Sequence, residues 1–317
     1  MPARSSTYLK SNVSMSERGF LPALWRFSSR AYIPDWFGVL LLALANLAIL
    51  FFTPFHRLFS LDDRRISYPH ADPERVPVPQ LFFFSAGLPL LIITLYTLAA
   101  PSTSSKSHKL HVALLGLSTS LLLTAFTTDL IKNSVGRARP DLLARCAARP
   151  GTPRHELVDW TVCTQSDAHT LHDGFRSFPS GHSSFAWAGL GYLALFLAGQ
   201  MGALRRGAGM ARVVAAATPL VGAALIAISR TEDYRHDVFD VSVGTGIGAV
   251  TAWFAYRRWF RALQARKCDV PYEREEPEEE AGFRKLREVE MGRVAGLVNG
   301  EEVGDMADEW ERERERV

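Results

Sequence analysis

Long apolar runs alternate with polar stretches along most of this chain. The runs are Trp36 to Phe55, Leu81 to Ala100, Leu110 to Ile131, Ser183 to Met201, Val213 to Ser229 and Val238 to Tyr256. Each approaches the span of about 20 residues that a helix needs to cross a bilayer. Six such runs in 317 residues leave too little polar sequence to coat them as buried helices of a soluble protein. The pattern predicts an all-α fold, a six-span transmembrane helical bundle. The mean hydropathy of +0.01 hides this because it averages two unlike materials.

Charge divides those materials. Residues 269–317 hold 17 acidic and 8 basic residues, net −9, so a chain of net +3 carries +12 on residues 1–268. The acidic end, with Glu273 to Glu280 and the alternating Glu311 to Arg316, is expected to be solvated and largely disordered. Three segments follow: a cytosolic N-terminal segment 1–35, a six-span domain 36–256 containing a long loop 133–179, and a basic-then-acidic cytosolic tail 257–317. The N-terminal segment is too long for the charged region of a cleaved signal, so the first span is expected to remain as an anchor. Basic residues number 15 on the face of the two termini against about 13 opposite, and Lys132, Arg139 and Arg230 among the latter have a chemical reason to be there. The positive-inside bias then puts both termini in the cytosol and the loop 133–179 in the lumen or outside. The sequon Asn12-Val13-Ser14 stays cytosolic and unmodified in that arrangement. Of three cysteines, Cys146 and Cys163 share the long loop, where a bridge and two free thiols are both open readings; Cys268 follows the last span.

Within this frame the polar residues at the span ends form a set. Lys132 leaves the third span and Arg139-Pro140 follows; Pro179-Ser180-Gly181-His182 enters the fourth; Ser229-Arg230 leaves the fifth; His236 and Asp240 open the sixth. Span parity puts all of them on one membrane face. Lys132 and Arg139 are seven apart, so a helix continuing past the membrane to Pro140 would project both from one side. Ser180 can cap the fourth span, where free backbone N–H groups favour an anion, and Gly181 lets the backbone approach it. His182 can exchange a proton near neutrality. His236 and Asp240, at i and i+4, can share a helix face so that the carboxylate orients the imidazole for attack, although a structural ion pair would read the same way. Arg230 supplies a third fixed cation. Three cations, two imidazoles and a carboxylate suit displacement at a phosphoryl group, and no carboxylate cluster suited to magnesium stands out.

Three motifs, Lys-x6-Arg-Pro, Pro-Ser-Gly-His and Ser-Arg-x5-His-x3-Asp, together resemble those of the type 2 phosphatidate phosphatase superfamily, and the six-span plan resembles its lipid phosphate phosphatase and diacylglycerol pyrophosphate phosphatase branch. The resemblance covers about Trp36 to Tyr256. It implies a metal- and cofactor-independent membrane hydrolase of lipid phosphomonoesters (phosphatidate, lysophosphatidate or diacylglycerol pyrophosphate), resident in vacuole, Golgi or endoplasmic reticulum, with a phospholipid and no nucleic acid as partner. His236 would form a phosphohistidine, Asp240 would orient it, and His182 would protonate the leaving alcohol and then activate water. Lys132, Arg139, Ser180, Gly181 and Arg230 would hold the phosphoryl oxygens. Many members have proline at the position of Ala138 and a second histidine at that of Asp237, so Asp237 either weakens binding of highly charged substrates or points away. The alternatives are a non-catalytic headgroup-binding protein and a phosphatase or phosphotransferase acting on sphingoid, dolichyl or sugar phosphate. For Trp160, Phe175 and Phe178 of the long loop two readings stay open, an interfacial lid and surface aromatics without such a role.

Overall fold

A computed structural model describes residues 32–100, 105–272 and 291. The expected acidic tail from residue 273 onward lies outside the described residues apart from Met291, as does the N-terminal segment before residue 32.

Among the described residues the regular structure is helical: α1 Ile33–Ile49, α2 Val78–Ala99, α3 Lys106–Val135, α4 Leu142–Cys146, α5 Ala168–Asp173, α6 Gly181–Met201, α7 Met210–Glu232 and α8 Val238–Trp259. Five of these, α2, α3, α6, α7 and α8, are long and apolar enough to cross a membrane. The first apolar run gives a shorter helix of 17 residues that stops at Ile49, not Phe55. Pro54 disfavours helical backbone before it, so Phe51, Phe52 and Phe55 stay apolar and exposed without helix. Elsewhere the helices outrun their apolar stretches. Thus Lys109, just before the third apolar run, is buried in α3 with its Nζ donating to Gln200 Oε1 at 2.9 Å.

Small residues make α6 the central helix. Its Gly189 passes over the carbonyl of Ser85, where a Cβ would collide with the oxygen. Ser85 lies four residues before Pro89, which has no N–H to offer that oxygen, and the chain there takes a π turn, Phe83–Gly87. On the other side Gly244 and Gly248 of α8 press on α6. A Cβ at Gly244 would stand 2.5 Å from Ser180 O, and one at Gly248 would stand 2.8 Å from Trp187 Cβ. Close backbones permit interhelical hydrogen bonds: Ser120 Oγ donates to Ala188 O at 2.9 Å, Thr128 pairs with Ser184 at 2.9 Å, and Thr124 pairs with Thr251. This polar ladder runs up α3, α6 and α8 to Ser180 and Asp240, where the amide of the first donates to the carbonyl of the second at 3.0 Å.

The two long connections at that end fold together as a cap. Phe59, Ile66, Leu142, Cys146, Leu171 and Phe175 form its separate apolar core. Phe59 and Val158 exchange backbone hydrogen bonds of 3.0 and 2.8 Å, and Cys146 is bridged to Cys163. Phe175 is therefore a core side chain, while Phe178 stacks on Phe239 of α8 and Trp160 lies against His56. At the opposite end residues 260–271 fold back on the bundle, Phe260 bridging to Pro271 and the buried Cys268 thiol donating to Gly199 O.

The glycines of α8 separate packing from composition. Gly248→Val is expected to lower the thermal midpoint in detergent by several degrees, about 1–3 kcal/mol of strain. Gly246→Ala, where nothing lies within 4 Å, should leave it unchanged. Equal effects would contradict the close α6–α8 contact.

Candidate active site

Four helix ends meet beneath the cap: the last turn of α3, the first turn of α6, the last turn of α7 and the first turn of α8. Each end is set by local chemistry. Gly136 closes α3 in left-handed conformation, φ 59°, its Cα pressed on Phe55 O so closely that a side chain has no room. Ser180 caps α6, its hydroxyl accepting from Ser183 N at 3.4 Å. Asp237 caps α8, accepting from Asp240 N at 3.0 Å, and Asp240 Oδ2 accepts from Asp237 N at 3.3 Å in return.

Two helical expectations change. The third helix ends at Val135, not at Pro140, so Lys132 and Arg139 do not share a helix face. They converge through the cap. Lys132 Nζ donates to Arg176 O at 2.8 Å, and Arg139 is clasped by Asp173, its Nε donating to the carbonyl at 2.8 Å and its Nη2 to Oδ1 at 2.7 Å. His236 precedes α8, so it and Asp240 do not lie on one helix. Their Nδ1 and Oδ2 are 3.8 Å apart, beyond a hydrogen bond. Asp240 Oδ2 accepts from Ser177 Oγ at 2.6 Å, and Oδ1 accepts from Arg137 Nη1 at 2.7 Å.

All eight residues expected at the site are thus gathered at one end of the bundle. Lys132, Arg139, Ser180, His182, Arg230, His236 and Asp240 are buried, and Gly181 rests on the Lys132 stem, where a Cβ would be 3.5 Å from Cε. His182 Nε2 donates to Val76 O at 3.0 Å and lies 3.7 Å from Glu74 Oε2. Arg230 Nη1 donates to the same Glu74 oxygen at 2.8 Å, and Arg235 Nη2 is 3.2 Å from Oε1. Asp237 pairs with Arg137, which neutralises the charge that distinguishes this position.

Arg137, Ser177, Glu74, Asp173 and Arg235 were not singled out in the sequence reading. Arg137 lay inside a recognised motif, two positions before Arg139. Glu74, an acid immediately before a membrane span, was the other available signal. Together they match most of the local cations with carboxylates. Asp173 links Arg139 to Arg145, whose Nη1 donates to Oδ2 at 3.0 Å. Burial would push the Asp173 carboxyl up, but Arg139, Arg145, Lys132 and Arg176 hold it well below the usual carboxylate range. Burial likewise opposes ionisation of Glu74, and Arg230, Arg235 and His182 overcome it. The His236 imidazole is held neutral, well below its ordinary value, by burial and by the charges of Arg139, Lys132, Arg230 and His182. Several nitrogens remain without a hydrogen-bond partner among the described residues although buried: Arg230 Nε, Arg235 Nε and His236 Nδ1. Such an arrangement can bind an oxyanion and present it to a neutral imidazole.

Compared with known proteins, residues 113–264 match a family model described as the PAP2 superfamily. Diacylglycerol pyrophosphate phosphatase 1 of Saccharomyces cerevisiae is 39% identical over 247 residues, covering 78% of this chain and 86% of its own. A probable diacylglycerol pyrophosphate phosphatase 1 of Schizosaccharomyces pombe is 42% identical over 228 residues, covering 71% and 80%. Lipid phosphate phosphatase 2 of Arabidopsis thaliana is 34% identical over 233 residues, covering 73% and 78%. No solved structure matches the chain.

Asp173 offers a test of the carboxylate framework. A carboxyl held low in the folded protein stabilises it fully above the unfolded value, about 4, and loses that effect as the pH falls through its folded value. Asp173→Asn should therefore melt earlier than the parent at pH 7, with the gap closing below about pH 4. A gap independent of pH would show that the pairing does not stabilise the cap.

Proposed function

The chain belongs to the PAP2 superfamily, and from that premise we propose that it hydrolyses lipid phosphomonoesters, phosphatidate, lysophosphatidate and diacylglycerol pyrophosphate among them. It is a multi-pass integral membrane protein. The observation that carries the reading is His236, buried, its Nδ1 without a hydrogen-bond partner among the described residues, and facing the charges of Lys132, Arg139 and Arg230. A neutral imidazole keeps a lone pair for attack, and the surrounding cations stabilise the charge that builds on the phosphoryl oxygens.

In this reading His236 displaces the lipid alcohol from phosphorus, or phosphatidate when the substrate is the pyrophosphate, forming a phosphohistidine. Asp240 lies near enough for a small shift to bring Nδ1–H onto its carboxylate, which leaves Nε2 to attack; apo geometries are often this loose. His182 gives its proton to the departing oxygen and then takes one from water, which attacks phosphorus and releases phosphate. Ser180 and Gly181 bring the start of α6 to the phosphoryl oxygens. Glu74, Asp141, Asp173 and Asp240 each have an arginine partner, which supports a site whose positive charge comes from side chains and not from a metal.

The same reading includes the finer topology. We take α1 as a sixth, short span of about 25 Å, both termini as cytosolic, and the cap as lumenal or exterior. The Cys146–Cys163 bridge in the cap suits an oxidising compartment. A phospholipid fits the position of the site, since a headgroup phosphate would lie at the helix ends while its chains stay among the spans. The domain is taken to run from residue 36 to residue 256.

Purified protein with chelator present should release phosphate from phosphatidate and from diacylglycerol pyrophosphate, and His236→Ala should lose at least about a thousandfold. Retained turnover in that variant would defeat the assignment. Activity confined to a water-soluble sugar phosphate would favour the alternative substrate class.

A further inference from the structure

The connection from α1 to α2 ends in a short segment, Glu74-Arg75-Val76, that is clamped to three parts of the site. Arg75 N donates to Asp233 Oδ2 at 2.9 Å, Glu74 holds Arg230 and Arg235, and Val76 O accepts from His182 Nε2 at 3.0 Å. A carbonyl oxygen can only accept, so this contact places a proton on Nε2. The nitrogen that can exchange a proton without breaking it is then Nδ1.

The charges facing His182 are unequal in sign. Arg230 from α7, Arg139 from the segment after α3 and His236 before α8 face it on one side. Glu74, 3.7 Å from Nε2, is the carboxylate that counters them. We propose that Glu74 is a positioning residue for the reaction: its carboxylate favours the protonated form of His182 and fixes Arg230, acting on the proton donor as Asp240 acts on the nucleophile. This rests on the phosphatase reading above. The site then holds two imidazole–carboxylate pairs, one across the start of the last helix and one supplied across the cap by the first connection. Glu74 also has 22% of its side chain exposed, so it can adjust when substrate binds.

A rival reading of the same contacts is that Glu74 is a placeholder, a carboxylate sitting on Arg230 where phosphate belongs. The two make opposite predictions for Glu74→Gln, which keeps the shape and loses the charge. As a positioning residue, Glu74 raises the pH up to which His182 stays protonated. The variant's kcat/KM should then lose its alkaline limb about one pH unit earlier, about tenfold less turnover on the alkaline side. Using one substrate for both proteins cancels the substrate's own ionisation. Glu74→Asp should recover part of the shift. An unmoved limb, or a kcat/KM raised at every pH together with tighter inhibition by orthovanadate, would overturn the proposal. Imidazole 15N spectra of the parent and Glu74→Gln, with His182 assigned by His182→Asn, read the same effect without turnover. They should show the Nε2-protonated neutral form in the parent and an earlier loss of the imidazolium in the variant; identical titrations would overturn the proposal. If the parent releases no phosphate, the phosphatase reading fails and the spectra still decide whether Glu74 governs His182.

Discussion

A cluster of buried cations at the end of an apolar bundle is held together only if each charge is compensated, and this constraint shapes the rest of the molecule. Lys132, Arg139, Arg145, Arg230 and Arg235 would repel one another and lose their hydration if left alone. Asp173 and Asp141 hydrogen-bond Arg139 and Arg145, and Glu74 hydrogen-bonds Arg230 and pairs with Arg235, while Lys132 donates to the Arg176 carbonyl. Compensation is incomplete by design of the spacing: Arg230 keeps Nε and Arg235 keeps Nε without a hydrogen-bond partner among the described residues. The framework is thus rigid yet still short of acceptors, which is the state an anion-binding pocket requires.

The bundle below serves that framework. Gly189, Gly244 and Gly248 let α2, α6 and α8 approach backbone to backbone, and the approach is what brings Ser180 N onto Asp240 O. A wider separation at Gly244 would pull the first turn of α6 away from the turn carrying His236 and Asp240. Above, the cap is more than a tether between spans. Its apolar core, with Phe59 from one connection and Phe175 from the other, fixes Asp173 and Arg176 against Arg139 and Lys132.

Much of this was legible in the sequence because membrane hydropathy and rare intramembrane charges are strong signals. The apolar runs located the spans, and their parity put Lys132, His182, Arg230 and His236 at one end. What could not be read was the company these residues keep. Arg137 and Asp240 are 103 positions apart, Arg230 and Glu74 are 156 apart, and both contacts arise from connections without periodic pattern. Local geometry misled where one residue broke a helix. Gly136 ends α3 before Arg139, and Asp237 caps α8 after His236, so two spacings that suggested shared helix faces join residues across a helix end instead. Phe175 looked like a lid aromatic because its partners, Phe59 and Leu142, lie in separate stretches of sequence.

The central claim is that His236 itself carries the phosphoryl group. Brief reaction of the detergent-solubilised protein with lipid phosphate labelled at phosphorus, quenched at alkaline pH to preserve phosphoramidate bonds and followed by peptide mapping, reads this directly. The account predicts label on the peptide containing His236, accumulating further when His182 is replaced by a residue unable to activate water. Label on another residue, or undiminished label in His236→Ala, would contradict it.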